Sequence, residues 1–182
     1  MLTRVTALGQ DLRALLDGGG VEGEAVFEFD CGRTLRASKS VLCARCGHFR
    51  AMFTSGMREC ADGGVVHVAG VPHDAFRVLL GYLLTDELPD ETTAGAEVSA
   101  ELALAVLMLA NAYGVTRLEQ ICEGRLTRQL DAENVAEIAR CAHLIGSRQL
   151  QRAADRFVRS SSANISAGIS AGASAIAVGG AQ

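Results

Sequence analysis

The sequence has no excess of basic residues and no apolar run long enough to cross a membrane. Its 17 basic and 21 acidic side chains give a formal charge of -4, whereas binding along nucleic-acid phosphates needs clustered positive charge. The longest apolar run, LALAVLMLA, spans only 102–110, and a membrane helix needs roughly 20 residues. The first residues show an amphipathic helical pattern rather than the apolar core and cleavage site of a secretory signal. We therefore expect a soluble protein without nucleic-acid or membrane partners.

Sequence signatures of catalysis are also missing. The run Gly18-Gly19-Gly20 does not follow a strand and lacks the Lys and Ser/Thr of a phosphate loop, and no HExxH motif occurs. The string GISAG at 168–172 has the G-x-S-x-G form, but it lies in a Ser/Ala/Gly-rich stretch and not between a strand and a helix, as a nucleophile elbow requires. We therefore expect no catalytic residues and no cofactor.

The 6 cysteines are irregularly spaced and accompany no sign of secretion, which predicts reduced thiols and a cytoplasmic or nuclear location. Cys43 and Cys46 lie one helical turn apart, with His48 close behind, so a thiol oxidoreductase using this pair is one alternative. A structural zinc site uses four ligands, usually in two pairs, and only one pair is present. We interpret both thiols as packing residues and expect no metal site.

Hydrophobic periodicity predicts a helix followed by a hairpin at the amino-terminal end. An apolar stripe at helical spacing ends at the DGGG of 17–20. Ala25, Phe27 and Phe29 then alternate on one strand face, 30–33 supplies the turn, and a return strand begins near Leu35. The residues of the helical stripe are Leu8, Leu12, Leu15 and Leu16.

Further along, short helices alternate with one more strand. Two helices after Ser38 or Ser40 are joined at Gly47, a strand lies in GGVVHVAGV (63–71), and a helix spans 72–85. An acidic loop at 86–100 leads to a helix at 101–115 that is apolar nearly all round and is expected in the core.

The carboxyl-terminal part is predicted to form short helices and then a tail. The segments 116–130 and 131–158 have helical spacing, with Asp131 and Ser147 as candidate caps. From 159 to 182 the chain is almost entirely Ser, Ala and Gly with a few larger residues. Such small side chains bury too little area to offset chain entropy, which predicts disorder.

The order of these elements, together with three local strings, resembles the BTB/POZ domain family. The strings are LRASKSVLCARCGHFRAMF (35–53), VAGVPHDAFRVLLGYLLT (68–85) and LANAYGVTRLEQICEGRL (109–126). The resemblance implies an α+β fold in which a small sheet is flanked by a cluster of short helices. It implies a BTB/POZ domain at 8–130 and a 3-box-like helical extension at 131–158, before the tail at 159–182.

The extension is similar to that of speckle-type cullin-3 ubiquitin-ligase adaptors, and this resemblance implies a function. Met57-Arg58-Glu59 matches the family's hydrophobic-x-Glu motif for gripping the amino-terminal domain of cullin-3. A non-enzymatic adaptor of the ubiquitin conjugation pathway is therefore expected, with an unknown substrate protein. The alternative is a scaffold of the same fold that homo-oligomerises, or recruits a corepressor, without cullin. The implied cullin-binding residues are Phe49, Phe53, Met57, Glu59 and Tyr113, although Phe49 and Phe53 also fit a core or half-core position, with an edge of Phe49 exposed.

The resemblance also implies a homodimer. The candidate dimerisation residues are Leu8, Leu12, Leu15, Leu16 and Lys39. Ala25 stands where the family usually has an acidic residue, and Ser38 where it usually has His before the basic residue. Both departures lie near the usual dimer seam.

Overall fold

The computed structural model describes residues 23–55, 65–88 and 99–161. It begins with the predicted hairpin, in which β1 (Glu24–Phe29) pairs antiparallel with β2 (Thr34–Ser38). Gly32 has φ 76° in the turn, a left-handed conformation that glycine adopts at little cost. Its N–H donates to the Phe29 carbonyl at 2.8 Å, which closes the turn.

A third strand lies on the other side of β1. β3 (Val65–Val68) pairs with β1 in parallel, so the strand order is β2-β1-β3. Because side chains alternate along a strand, one face of this sheet carries the buried residues. They are Ala25, Phe27, Phe29, Ala37, Val66 and Val68. The alternation predicted for β1 is confirmed.

Two short helices lie in the described part of the connection between β2 and β3. Helices α1 (Lys39–Arg45) and α2 (Gly47–Thr54) are separated by Cys46, whose extended backbone has φ -140° and ψ 120°. The break predicted at Gly47 therefore falls one residue earlier. Ser38 occupies the N-cap position of α1, but its side chain makes no capping hydrogen bond.

The next two helices are more extensively buried than helices at a protein surface usually are. Most residues of α3 (His73–Thr85) are buried, and it ends at Asp86 in the left-handed conformation with φ 62°. In α4 (Ala100–Ala112), Ser99 caps the first turn by accepting from Leu102 N–H at 3.2 Å. The prediction of a core helix is confirmed by buried positions around much of α4, although Met108 is 47% exposed.

The centre of the core is aromatic. The Phe27 and Phe76 ring centroids are 5.0 Å apart, and Phe49 lies 5.7 Å from Phe27 and 6.4 Å from Phe76. Tilted and edge-on pairs at these distances are favourable beyond the burial of area alone. Three separate elements, β1, α2 and α3, are therefore fixed against one another through these rings.

The chain divides into two compact units, 1–122 and 123–182, with the division inside α5 (Thr116–Arg128). The second unit contains α6 (Val135–Leu144) and α7, which spans 148–161. The predicted cap at Ser147 forms, since its hydroxyl accepts from Leu150 N–H at 3.2 Å. The prediction of Asp131 as a helix cap is wrong for α6: the N-cap is Asn134, and the Asp131 carboxylate accepts from Asn134 N–H at 2.8 Å in the turn before the helix. Because α7 is helical to 161, it extends past the predicted start of the tail, while 162–182 lies outside the described residues.

Within the described residues, no helix combines the length and apolar character required to span a bilayer.

Candidate protein-interaction surface

Helix α2 has one face in the core and one at the surface. Phe49 and Phe53 are 0% and 3% exposed, whereas His48 and Ser55 are exposed and Met52 is half-buried. Residues 48, 52 and 55 recur at helical steps of four and three, so they lie on a common face. This outward face immediately precedes the segment that contains the hydrophobic-x-Glu motif.

Phe49 holds α2 in place rather than forming part of its surface. Its ring centroid is 5.0 Å from that of Tyr113, and it stacks on Phe53 with a 6.0 Å separation and a 9° interplanar angle. The burial of both phenylalanines agrees with the core position that the sequence analysis gives as one interpretation. The exposed edge considered for Phe49 is absent, because the rings around it leave no part of its surface accessible. Both residues fix the position of α2, and their part in cullin binding stays a prediction.

Tyr113 joins the outer face of α2 from a second element. It lies at the C-cap of α4, is half-buried, and its ring centroid is 4.6 Å from that of His48. The Cys46 thiol donates to the Tyr113 carbonyl at 3.3 Å, which ties the α1–α2 junction to the end of α4. Burial raises the pKa of Tyr113, and the nearby Cys46 raises it further. The hydroxyl is therefore neutral at physiological pH and able to donate a hydrogen bond.

Arg50 stabilises the corner between α1 and α2. Its Nε donates to the Cys43 carbonyl at 2.9 Å and its Nη2 donates to the Ala44 carbonyl at 3.3 Å. These carbonyls belong to the last turn of α1, where no helical partner remains and where positive charge is favourable. The guanidinium thus fixes the direction in which α2 leaves α1.

The two cysteines of the Cys43-x-x-Cys46 pair are buried, with 7% and 3% exposed. The Cys43 thiol points to the Phe49 carbonyl at 3.9 Å, while the Cys46 thiol bonds to the Tyr113 carbonyl. Each sulfur therefore has a different packing role. Among residues 23–55, 65–88 and 99–161, no group of three or more His, Cys, Asp or Glu side chains is arranged to hold a metal ion.

Several predicted site residues lie outside the described residues: Leu8, Leu12, Leu15, Leu16, Met57 and Glu59. Lys39, predicted at the dimer seam, begins α1 and is 1% exposed, with its Nζ 5.7 Å from the Phe53 ring centroid. Its side chain therefore lies inside its own domain. Its part in dimerisation stays a prediction.

Two surface residues beside this site did not emerge as binding candidates from the sequence. The sequence groups His48 only with the neighbouring thiols, and it shows Met52 only as one of the apolar residues of 35–53. The spacing of 48, 52 and 55 was an available signal for a shared outer face. The spacing cannot predict that the Tyr113 ring contacts His48, because Tyr113 lies in a distant part of the sequence.

Comparison with known proteins identifies the family of residues 24–130. The family model described as BTB/POZ domain matches residues 24–130. Among solved structures, the BTB domain of zebrafish PATZ1 has a TM-score of 0.45 and 17% identity, covering 66% of this chain and 88% of that chain.

Curated relatives match over most of the chain. TD and POZ domain-containing protein 5 of Mus musculus is 31% identical over 160 residues, covering 85% of this chain and 45% of the relative. Inhibitor of Bruton tyrosine kinase of Homo sapiens is 29% identical over 127 residues, covering 70% of this chain and 9% of the relative. Kelch repeat and BTB domain-containing protein 8 of Danio rerio is 27% identical over 150 residues, covering 82% and 23%. The chain thus spans less than half the length of each of these relatives.

Proposed function

This chain belongs to the BTB/POZ domain family of protein-interaction modules, and from that premise we propose that it is a non-enzymatic adaptor for cullin-3. It binds the amino-terminal domain of cullin-3 and brings a substrate protein to a ubiquitin ligase in the cytoplasm or nucleus. Its contribution to the reaction is proximity, because it holds the target near the catalytic subunits.

The observation that carries this proposal is the outer face of α2 beside Tyr113. His48, Met52 and Tyr113 supply two aromatic rings and a flexible thioether at one surface, on a helix whose inner face is locked in the core. Aromatic and Met side chains are enriched where proteins bind one another. The Met57-Arg58-Glu59 motif follows this face directly in sequence.

The motif residues have complementary roles in the proposed contact. Met57 fills an irregular apolar pocket on cullin-3, since a thioether chain adapts its shape readily. Glu59 accepts charge-assisted hydrogen bonds, which fix the register of the two proteins. The helices of the second unit support the same proposal, because they occupy the range expected for a 3-box-like extension and Leu144 at the end of α6 is 76% exposed.

Titration of the purified chain with the cullin-3 amino-terminal domain tests the proposal. Met57→Ala should cost on the order of 2 kcal/mol of binding as the loss of a hot spot, and Glu59→Ala about 1.5 to 3 kcal/mol as the loss of a charged hydrogen bond. The double variant should show no binding at micromolar concentration, since about 1.4 kcal/mol is tenfold in affinity.

Met108→Ala and Glu101→Ala are the matched controls, because they make the same truncations at exposed positions of α4. Both should bind cullin-3 like the wild type. Tight binding that survives the Met57/Glu59 double variant would place the site elsewhere on the chain. No measurable affinity of the wild type would favour the scaffold alternative, a homo-oligomer or corepressor-recruiting module without cullin.

A further inference from the structure

Helix α7 carries a row of arginines along one face. Residues 148, 152 and 156 are spaced by four and residue 159 follows by three, so their side chains share one side of the helix. We call Arg148, Arg152, Arg156 and Arg159 the arginine row. All are exposed, while Leu150, Ala153 and Ala154 on the other side of the helix are buried.

The arginine row differs from several arginines elsewhere in the described residues in forming no ion pair with a carboxylate. Arg33, Arg36, Arg45, Arg117 and Arg140 all form ion pairs with nearby carboxylates. Within the described part of the chain, no carboxylate pairs with any member of the row, and Arg159 donates instead to the backbone carbonyl of Asp155 at 3.2 Å. Asp155 is the one acidic residue of α7 and lies on the same side, three residues after Arg152 and four before Arg159, so the row keeps an excess of positive charge. Like charges spaced by four on a helix destabilise it, so this excess gains from a bound anion.

The dimensions of the row match an extended peptide. From 148 to 159 the helix rises about 16 Å at 1.5 Å per residue, the length of roughly five residues of extended chain at about 3.3 Å each. Alternate side chains of that peptide point the same way about 6.6 Å apart, close to the rise of about 6 Å between residues four apart on the helix. Three carboxylates at alternate positions can therefore face successive arginines, whose guanidinium groups bind carboxylates in a two-pronged manner.

We propose that the arginine row binds a short acidic segment of a partner protein in extended conformation, with Asp or Glu at alternate positions. These four side chains, together with Gln149, line an open surface depression of about 600 Å³. A short segment is favoured over nucleic acid or an anionic membrane because the whole chain is acidic, with a formal charge of -4. A long polyanion that extended past the row would meet that opposing charge.

Fluorescence anisotropy with a labelled peptide of sequence Glu-Gly-Glu-Gly-Glu tests the proposal on the full chain. At low ionic strength the double variant Arg152→Glu/Arg156→Glu should weaken binding by about tenfold or more, and salt should weaken wild-type binding because exposed ion pairs are screened. The same peptide with Gln in place of Glu should not bind.

Arg140→Glu is the matched control, since it reverses an exposed arginine on the neighbouring helix α6. It should bind the peptide like the wild type, with equal helix content in all variants. Equal loss in Arg140→Glu would show that net charge, and not the row, determines binding, and unchanged binding in the double variant would also overturn the proposal. Tighter binding of a DNA duplex or phosphatidylserine vesicle than of the peptide would assign the row to a different class of partner.

A separate observation concerns the chain's single lysine. Lys39 is the one lysine in the 182 residues, and it is 1% exposed at the start of α1. In ubiquitin transfer a lysine ε-nitrogen attacks the thioester carbonyl of carrier-bound ubiquitin. An isopeptide bond forms, the carbon–sulfur bond breaks, the thiol leaves and the amine loses a proton. This attack requires an accessible amine.

We infer that the native chain escapes lysine ubiquitination while it serves in the ligase, an inference that rests on the proposed function. The surface of the chain presents its positive charge through arginine, which keeps charge without offering the acceptor amine of lysine. A protein that presents targets for ubiquitin transfer thereby protects itself.

Two experiments separate this inference from the proposed function. Acetylation by an N-hydroxysuccinimide ester should modify Lys39 only after denaturation; rapid modification of Lys39 in the native chain would overturn the inference that Lys39 is shielded.

In a ligase assembled with cullin-3, Arg36→Lys and Arg140→Lys should carry ubiquitin at the new residue, since the arginines they replace are 69% and 78% exposed. Ubiquitin on wild-type Lys39 would overturn the inference. Absence of cullin-3 binding would contradict the proposed function instead, and the acetylation result would still decide the shielding.

Discussion

The guanidinium of Arg45 and the carboxylate of Asp86 meet at 2.6 Å with only 5% and 10% of their side chains exposed. Asp86 also accepts from Arg117 at 3.1 Å, and Arg45 Nε donates to the Leu83 carbonyl at 3.1 Å. The pair therefore joins α1 to the end of α3 and to the first turn of α5. Asp86 takes the left-handed conformation that terminates α3, so one residue both ends a helix and fixes two others.

Asp86→Asn should be strongly destabilising, because it keeps the shape and tolerates the left-handed backbone but removes the carboxylate charge that faces the buried Arg45 guanidinium. Breaking one side of a buried ion pair costs about 3 to 5 kcal/mol. Chemical denaturation followed by circular dichroism measures the change in the free energy of unfolding.

Arg117→Ala provides the control for that measurement, since it removes the other partner of the same carboxylate but is 60% exposed. Its cost should be at most about 1 kcal/mol. Equal costs for Asp86→Asn and Arg117→Ala would contradict the assignment of the main contribution to the buried pair.

The chain contains 2 tyrosines, and both should resist ionisation in the folded state. Burial raises the pKa of Tyr82, with the Asp86 charge adding to the effect, and burial also raises that of Tyr113. The fold thus favours the neutral phenols, so their contribution to stability is complete below the ordinary value of 10 and is lost as pH rises through the folded pKa. A pH titration followed by absorbance of the phenolate band should give titration midpoints for both tyrosines that are higher in the native than in the denatured chain. A native midpoint at the denatured value would refute the burial of that ring.

Thiol labelling should distinguish the surface cysteine from the packed ones. Cys31 is exposed, whereas Cys43, Cys46, Cys122 and Cys141 are buried, and burial raises the pKa of the Cys141 thiol, with Glu137 adding to it. A thiolate-specific reagent on the native protein should label Cys31 rapidly and these four only on unfolding. Peptide mapping assigns the sites and resolves any signal from Cys60. Rapid native labelling of Cys43 and Cys46, with disulfide reductase turnover, would support the oxidoreductase alternative.

Replacing Leu12 and Leu16 by Asp should convert a dimer to a monomer while the folded core persists, because a helix with so regular an apolar stripe needs a surface to cover it. Sedimentation equilibrium at tens of micromolar, with circular dichroism as the check on folding, makes the comparison. A wild-type chain that is already monomeric at that concentration would remove the prediction.

Local pattern was sufficient for the elements of this fold and insufficient for the contacts between them. The alternation of Ala25, Phe27 and Phe29 predicts the buried face of β1, since strand periodicity is a property of neighbouring residues. By contrast, Asp86 had been assigned to an exposed acidic loop, whereas its partners are 41 and 31 positions away in sequence. Only the folded chain brings opposite charges at such separations together.

In the candidate site, too, local pattern predicts the helix but not the contacts of its side chains. The aromatic spacing in α2 predicts a helix but cannot tell which ring packs inward, and the rings that enclose Phe49 come from β1, α3 and the end of α4. The family resemblance groups Tyr113 with residues of α2, a proximity that periodicity does not contain and that the ring contacts of Tyr113 with His48 and Phe49 show.

The parallel pairing of β1 with β3 has a consequence for the order of folding. The hairpin partner Arg36 of Val26 is close in sequence, but the β3 partner Val65 lies 39 positions away, beyond both α1 and α2. Closing a loop of that length costs chain entropy before the new contacts compensate it, so distant strand pairing is intrinsically slow. We expect the hairpin amides to gain protection from hydrogen exchange before those of β3, so that β3 completes the sheet only after the helices of the crossover have packed.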